Sequence, residues 1–314
     1  MNKRDFLRHS VYLAAGVPLT MMGCTNGTKP VANADKNLAT LKSTSIPYQD
    51  TIGLQLWTVR DQMAENPKAT LQAIKDLGYY QVELGDTRTA KELIPICDDL
   101  GLKVKSSFML WTALTGRWDL VPHETKKIEF EEVLDQASAA GLSHLVFGYL
   151  MPGERETLDD YRKIIDVLNE AGMKAKERGI QMAYHNHNFE FEQMDGGVPF
   201  ELMIDRFDKE LMPFELDVFW AALAGYDPVE LLGRIADRTK LLHLKDLKQG
   251  VPLMTTTDGV PEDAFQELGD GTLPIKKLAK MGKEMGVDYC FVEQDQSPDP
   301  LVSIQESMEF YQNV

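Results

Sequence analysis

Positive charge is scarce in this 314-residue chain: 33 Lys and Arg stand against 49 Asp and Glu, giving a formal net charge of −16. A phosphate backbone needs clustered cations, so this surface would repel nucleic acid and nucleic-acid partners are not expected. Cysteine is scarcer still, with three in the chain. Cys24, Cys97 and Cys290 have no zinc-type spacing and cannot form a disulfide framework. Cys97, in Ile94-Pro95-Ile96-Cys97, and Cys290, in Tyr289-Cys290-Phe291-Val292, read as small buried hydrophobes. No G-x-G-x-x-G and no P-loop occurs, which counts against NAD and ATP as cofactors. No apolar run is long enough to sit comfortably across a bilayer as a permanent helix. Otherwise the composition is that of an ordinary globular protein, 43% hydrophobic and 26% charged.

The N-terminus has a basic start, Lys3-Arg4-Asp5-Phe6-Leu7-Arg8, an apolar stretch from Val11 to Met22, and then Gly23-Cys24. That sequence of features describes a secretory signal. The basic segment resembles a twin-arginine export signal with Lys in place of the first Arg. Met21-Met22-Gly23-Cys24 resembles a bacterial lipobox, which implies lipidation at Cys24 and a membrane contact through that anchor alone. Residues 25–49 are polar and rich in Asn, Thr, Lys and Ser, and read as a tether. The expected organisation is therefore an export signal over 1–24, a tether over 25–49 and one domain over 50–314, in an exported periplasmic or membrane-anchored protein.

After residue 50 short apolar runs alternate with amphipathic stretches. The strands are expected at Ile52–Trp57, Tyr80–Leu84, Lys103–Ser107, His144–Phe147, Gln181–His185, Pro213–Asp217, Lys240–Leu244 and Tyr289–Glu293. Helices are expected at Pro67–Leu77, Lys91–Leu100, Lys126–Ala140, Leu158–Arg178, Pro228–Ala236 and Pro274–Met285. Several of them end in a glycine that stops the helix before the next strand, as in Leu100-Gly101 and Met285-Gly286. Eight strand–helix repeats predict an α/β protein, a single-domain (β/α)8 TIM barrel. The structural competitor is a doubly wound open sheet, which would usually show a glycine-rich phosphate loop.

In such a barrel the site is built from the C-terminal strand ends. Here those ends carry Glu83, then Tyr184-His185-Asn186-His187, then Phe214-Glu215-Leu216-Asp217, then His243-Leu244-Lys245-Asp246, then Glu293-Gln294-Asp295. Three of only six histidines fall there. Carboxylates and imidazoles converging on a barrel mouth suit Mn²⁺, Mg²⁺, Co²⁺ or Zn²⁺. The competing account is a structural ion-pair ring with Lys245, Arg60 or Lys105.

Asp217 in Leu216-Asp217-Val218-Phe219-Trp220, His243 in His243-Leu244-Lys245-Asp246 and Glu293 in Phe291-Val292-Glu293 resemble the metal ligands of the xylose-isomerase-like sugar isomerase/epimerase family. Gly53-Leu54-Gln55-Leu56-Trp57-Thr58-Val59-Arg60-Asp61 and Val82-Glu83-Leu84 resemble that family's first two strands, and the likeness spans roughly residues 50 to 312. Many members carry a glutamate at the end of strand five, where this chain has His185. The Tyr-His-x-His tract resembles the inosose-dehydratase branch and members acting on 3-keto-glycosides. The resemblance implies a divalent metal held by Asp217, His243, Glu293 and His185, and a sugar isomerase, epimerase or related lyase.

Isomerisation, epimerisation and β-elimination all begin with proton removal next to a carbonyl. Glu293 is the preferred base and His185 or His187, which the sequence does not rank, its partner acid. Lys245 can steady a developing alkoxide, or simply pair with Asp246 or Glu215. Glu83 and Glu215 are candidates for sugar hydroxyls, Glu83 also for supporting a ligand histidine. Trp57, Trp111 and Trp220 can stack on a sugar face or pack under loops. A small sugar or glycoside is the expected substrate, a metal-dependent keto-sugar lyase the alternative, and a homo-oligomer is compatible with the sequence. Two other readings are a metal-dependent endonuclease, which the acidity opposes, and a non-catalytic glycan-binding lipoprotein. His9, His123 and His144 are not expected at the site, and the Glu129, Glu131, Glu132 cluster reads as a solvated helix face.

Overall fold

In the computed structural model, residues 46–121, 124 and 126–313 are described. The export signal, Cys24, the tether up to residue 45 and His123 lie outside them. Residues 46–49, assigned above to the tether, belong to the packed domain instead. Tyr48 is 2% exposed and its hydroxyl donates to the Val287 carbonyl at 3.0 Å, because an aromatic ring buried this deeply needs a partner for its O–H.

Eight parallel strands close into a barrel: β1 Gly53–Gln55, β2 Gln81–Leu84, β3 Lys103–Phe108, β4 His144–Phe147, β5 Gln181–His185, β6 Phe214–Asp217, β7 Thr239–Leu244 and β8 Tyr289–Val292. The order around the barrel is β1-β8-β7-β6-β5-β4-β3-β2, and closure of β1 on β8 excludes the doubly wound sheet. Helices run between the strands, including Pro67–Asp76, Ala90–Leu100, Leu158–Glu177 and Ile275–Met285. Gly101 and Gly286 end two of them in the left-handed region, at φ 71° and 82°. No helix among the described residues is long and apolar enough to cross a membrane.

Period-two alternation sorts each strand into an outer and an inner row. In β6, Phe214 and Leu216 pack outward in the main hydrophobic cluster, while Glu215 and Asp217 turn inward. Val146, Ala183, Leu241 and Phe291 fill the barrel interior as a separate apolar plug, with Phe108 and Tyr289 against it. Gly53 makes room for that plug: a Cβ there would lie 2.4 Å from Phe291. His144 sits at the opposite end of the barrel, 3.4 Å from Asp288. Above the plug the inward row becomes ionisable. Registers Glu83↔Ser106, His185↔Glu215 and Asp217↔His243 bring these groups to one level, helped by register shifts at Val82/Glu83 and Phe214/Glu215.

After β7 the chain makes a long excursion. A short antiparallel pair, Asp246–Leu247 with Phe265–Gln266, closes its base. Phe219, Trp220, Leu223, Ala264 and Phe265 form a second apolar cluster that anchors it, with Val251, Met254 and Val260 packed against them.

Candidate metal centre and active site

Two histidines and two carboxylates converge above the plug. Asp217 begins the helix Val218–Leu223, and its Oδ1 accepts from the Phe219 and Trp220 amides at 2.9 and 3.1 Å. That fixes Oδ2 toward the barrel axis, 3.9 Å from both His185 Nε2 and His243 Nδ1. His243 Nδ1 is also 2.7 Å from Glu293 Oε2. Asn186 locks the two strand ends together, since its side chain accepts from the Asp217 amide and donates to the Asp217 carbonyl.

Behind each imidazole stands a buried carboxylate. His185 Nδ1 lies 3.2 Å from Glu215 Oε2, and His243 Nε2 lies 2.7 Å from Glu83 Oε2, which also accepts from Gln55 Nε2 at 2.7 Å. Glu83 and Glu215 were candidates for substrate hydroxyls, but both are fully buried beneath the histidines and neither lines the cavity. Burial, reinforced by Glu83, drives the pKa of Glu215 well above the carboxylate range. An imidazole that gives its Nδ1 proton to Glu215 keeps an Nε2 lone pair facing Asp217. Phe108 supports both rings from below, stacked on His243 at 5.8 Å and tilted on His185 at 5.2 Å.

Lys245 is 2% exposed, and its ammonium sits 3.1 Å from Asp217 Oδ2, 2.8 Å from Glu293 Oε2 and 2.8 Å from Asp295 Oδ2. The alternative partners read from sequence, Asp246 and Glu215, are not the ones it meets. The Asp246 carboxylate instead accepts from the Leu247, Gly269 and Leu273 amides at the base of the excursion. Burial opposes the charge on Lys245, but Asp217, Asp295 and Glu293 overcome it and hold the ammonium firmly protonated. For His243 burial likewise disfavours the cation, and Glu215, Glu293 and Glu83 together reverse the balance and raise its pKa. Glu293 is driven the other way: burial would raise it, yet Lys245 and His243 bring it down to about 2. Burial leaves Asp295 raised to about 6 despite Lys245. His185 and His187 are kept neutral, chiefly by burial.

A cavity of about 510 Å³ opens over this layer. His185, His187, Lys245, Glu293 and Asp295 reach it, with Gln55, Phe108, Tyr149 and Trp220 among its walls. The two histidines of the Tyr-His-x-His tract, unranked by sequence, have different surroundings. His185 belongs to the buried cluster. His187 lies beyond the strand end, stacked on Phe189 at 5.3 Å, edge-on to Tyr149 at 5.0 Å and tilted on Trp220 at 5.2 Å, with its Nδ1 unpartnered. Trp57 is 51% exposed at the rim with the Arg60 guanidinium 4.8 Å from its ring, and Trp111 donates its indole N–H to Glu154. Arg60 itself meets backbone carbonyls of Trp57 and Asp295.

Gln55, Tyr149 and Asn188 were not singled out as site residues in the sequence, and Asp295 was named only among the strand-end residues. Gln55 could have been found as the inward neighbour of Gly53 by alternation. Asn188 carries no such signal: its amide donates to the Met254 and Thr256 carbonyls at 3.1 and 2.8 Å, pinning the excursion over the mouth. Tyr149 adds a 3.3 Å hydroxyl contact to Thr257.

The donor set fits a divalent cation. Asp217 Oδ2 is buried without a well-formed hydrogen bond, and both histidines are backed by carboxylates in the manner that orients imidazole ligands. Asp217, His243 and Glu293 offer ligand atoms within 4.8 Å of one another, as do His185, Glu215 and His243.

Residues 71–314 match the family model described as Xylose isomerase-like TIM barrel. An inosose dehydratase of Lacticaseibacillus casei is 27% identical over 272 residues, covering 77% of this chain and 88% of that protein. A solved sugar phosphate isomerase/epimerase of Parabacteroides distasonis superposes with TM-score 0.67 at 23% identity, over 86% of this chain and 94% of that one. A solved structure described as the IOLI protein with a bound zinc atom gives TM-score 0.61 at 15% identity, over 82% and 95%. Closed barrel, ionisable strand ends and family match lead to one conclusion: this chain belongs to the xylose isomerase-like TIM barrel family.

Proposed function

We propose that the chain is a divalent-metal-dependent enzyme that removes a proton next to the carbonyl of a keto-sugar or keto-cyclitol and expels a neighbouring hydroxyl as water. The observation that carries this is the cluster of His185, Asp217, His243 and Glu293, with Glu215 and Glu83 behind the two imidazoles. Those four residues would hold the cation, which when bound supplies a Lewis acid for the substrate's oxygens.

The neutral His187, which lines the cavity, is the better base; Glu293 is committed to His243 and Lys245 through Oε2. It takes the proton from carbon, and the released electron pair forms the carbon–carbon double bond as the β-hydroxyl leaves. Asp295, titrating near 6 on the opposite side of the barrel, gives that hydroxyl the proton with which it departs as water. Lys245 steadies negative charge on substrate oxygen, and Asn188 and Tyr149 hold the excursion down to keep bulk water out. Dehydration is favoured over a symmetric epimerase because an imidazole stands where many relatives carry a second catalytic glutamate. The inosose dehydratases among its relatives point the same way. The N-terminal signal supports a further proposal, that the enzyme is exported and acts on unphosphorylated substrates.

The test is to strip the full chain with chelator, reload it with Mn²⁺, Co²⁺ or Zn²⁺, and offer keto-inositols, 3-keto-glycosides and free ketoses in D2O. Metal-dependent appearance of an unsaturated or dicarbonyl product, lost in His187→Ala, supports the reading. Solvent deuterium in a recovered isomer without water loss would move it to an isomerase/epimerase. Sugar binding without either reaction would leave a glycan-binding barrel.

A further inference from the structure

We propose that the cavity is a two-part site whose half away from the metal centre takes an uncharged apolar group. The substrate is then a keto-sugar joined to an aromatic or other apolar aglycone, not a free sugar or a disaccharide. This rests on the reading above only in placing the sugar ring over the metal centre.

The cavity, at about 510 Å³, lies in the range of roughly 300–1,000 Å³ typical of sites that enclose drug-sized ligands, and one sugar ring leaves much of it unfilled. Its lining divides by strand order. Among the described lining residues every acid, histidine and lysine, Asp86 apart, follows or ends one of the strands β5 to β8. The loops after β1 to β4, on the other half of the mouth, supply Trp57, Leu110, Trp111 and Tyr149.

Polar groups on that half already have partners. Gln55 donates to Glu83 at 2.7 Å and accepts from the Trp57 amide at 3.1 Å. Asp86 accepts from the Arg88 amide and from its Nε, both at 2.8 Å. The Trp111 indole donates to Glu154 at 3.0 Å, and the Tyr149 hydroxyl meets Thr257 at 3.3 Å. A second sugar there would bury hydroxyls with few groups left to receive them, a cost that an apolar group does not incur. An anionic group is disfavoured too. Lys245 is the only Lys or Arg among the described lining residues, and three carboxylates hold it.

Two features shape this half for a flat ring. The Arg60 guanidinium lies 4.8 Å from the Trp57 ring and is fixed by the Trp57 and Asp295 carbonyls, which leaves the indole as a backed platform, 51% exposed. At the end of β2, which stands between β1 and β3, Gly85 leaves a corner open. A Cβ there would approach nothing closer than Gln55 Oε1, at 4.0 Å.

The experiment is calorimetry of the full chain supplied with Mn²⁺, titrated with phenyl β-glucoside, methyl β-glucoside and cellobiose. None carries a keto group next to a leaving hydroxyl, so binding is read without turnover. Phenyl glucoside should bind at least about tenfold more tightly than the other two. That preference should fall roughly two- to tenfold in Trp57→Ala, the worth of one aromatic contact, and also fall in Gly85→Leu, whose side chain fills the corner. Equal affinity for phenyl and methyl glucoside, no heat from either, tightest binding of cellobiose, or an aryl preference kept in both variants would each overturn the apolar half. Turnover of keto-sugars without aryl preference would refute this inference and leave the proposed reaction standing. Aryl preference without turnover would do the reverse.

Discussion

Replacing Lys245 by Met removes the one ammonium among Asp217, Glu293 and Asp295 while keeping the length of the side chain. At 2.8–3.1 Å and an effective dielectric of about 20, each of the three contacts is attractive by roughly 6 kcal/mol before desolvation is subtracted. Net costs are much smaller, because the variant can take up a proton. A carboxyl with an ordinary pKa near 4 costs about 1.4 kcal/mol to protonate for each pH unit above that value. The destabilisation is therefore capped near 4 kcal/mol at pH 7, within the usual range of about 3–5 kcal/mol for breaking a buried pair. It should shrink to roughly 1.4 kcal/mol at pH 5.

Urea unfolding of wild type and Lys245→Met in chelator, between pH 5 and pH 8, measures this directly. The variant should lose stability steeply toward alkaline pH. Mn²⁺ or Zn²⁺ should then restore more stability to it than to wild type, since a divalent cation replaces the missing charge. A difference below about 1 kcal/mol at pH 7, or one that does not change with pH, would show that the ammonium does not neutralise this cluster.

Glu190 is fully buried, accepts from Tyr184 Oη at 2.8 Å and the His187 amide at 2.9 Å, and has its pKa raised by burial to about 7. The folded state thus holds this proton more tightly than the unfolded chain, so stability falls as pH rises from about 4.5 through about 7, by at most about 3 kcal/mol. Glu190→Gln should flatten that part of the stability–pH curve, and an unchanged slope would contradict it. Asn188→Ala removes two hydrogen bonds worth about 1 kcal/mol each from the excursion after β7. Amide exchange over residues 250–260 should accelerate about tenfold or more while the barrel strands keep their protection.

The barrel was readable because its strands obey one rule. β4 and β5 fall where alternation and turn residues put them, His144–Phe147 and Gln181–His185. The first strand is shorter than its apolar run, ending at Gln55, because Gln55 Oε1 accepts from the Trp57 amide and starts a 3-10 turn over Leu56–Val59. The helix expected from Lys126 begins at Phe130. The helix Val218–Leu223 was not foreseen: it starts on the carboxylate of Asp217, which the sequence offered only as a ligand. At the site, residue type and strand end gave a longer list of candidates, and the resemblance to the family narrowed it to His185, Asp217, His243 and Glu293. Depth was not legible. Whether Glu83 and Glu215 touch substrate or support histidines depends on the bulges and stagger of neighbouring strands, which have no local signature. The walls supplied by Phe108 and Tyr149 are long-range for the same reason.

The departure at β5 and the carboxylate behind it are best understood as one unit. His185 stands where many relatives carry glutamate, and its Nδ1 is 3.2 Å from Glu215, whose pKa is already raised by burial and by Glu83. A glutamate at 185 would set a third carboxylate against that pair with no solvent to screen it. With Glu215 already held protonated, a further carboxyl must then take up a proton, and at pH 7 this costs about 3–4 kcal/mol by the reckoning used for Lys245. His185→Glu alone should therefore destabilise the metal-free protein by that amount, whereas His185→Glu with Glu215→Gln should recover about 1–3 kcal/mol, the coupling typical of touching residues. Urea midpoints for the two single variants and the double variant close the cycle. Additive effects would mean that His185 and Glu215 were never a pair. A coupling of the stated size would mean that His185 and the buried Glu215 behind its ring stabilise the folded protein as a pair.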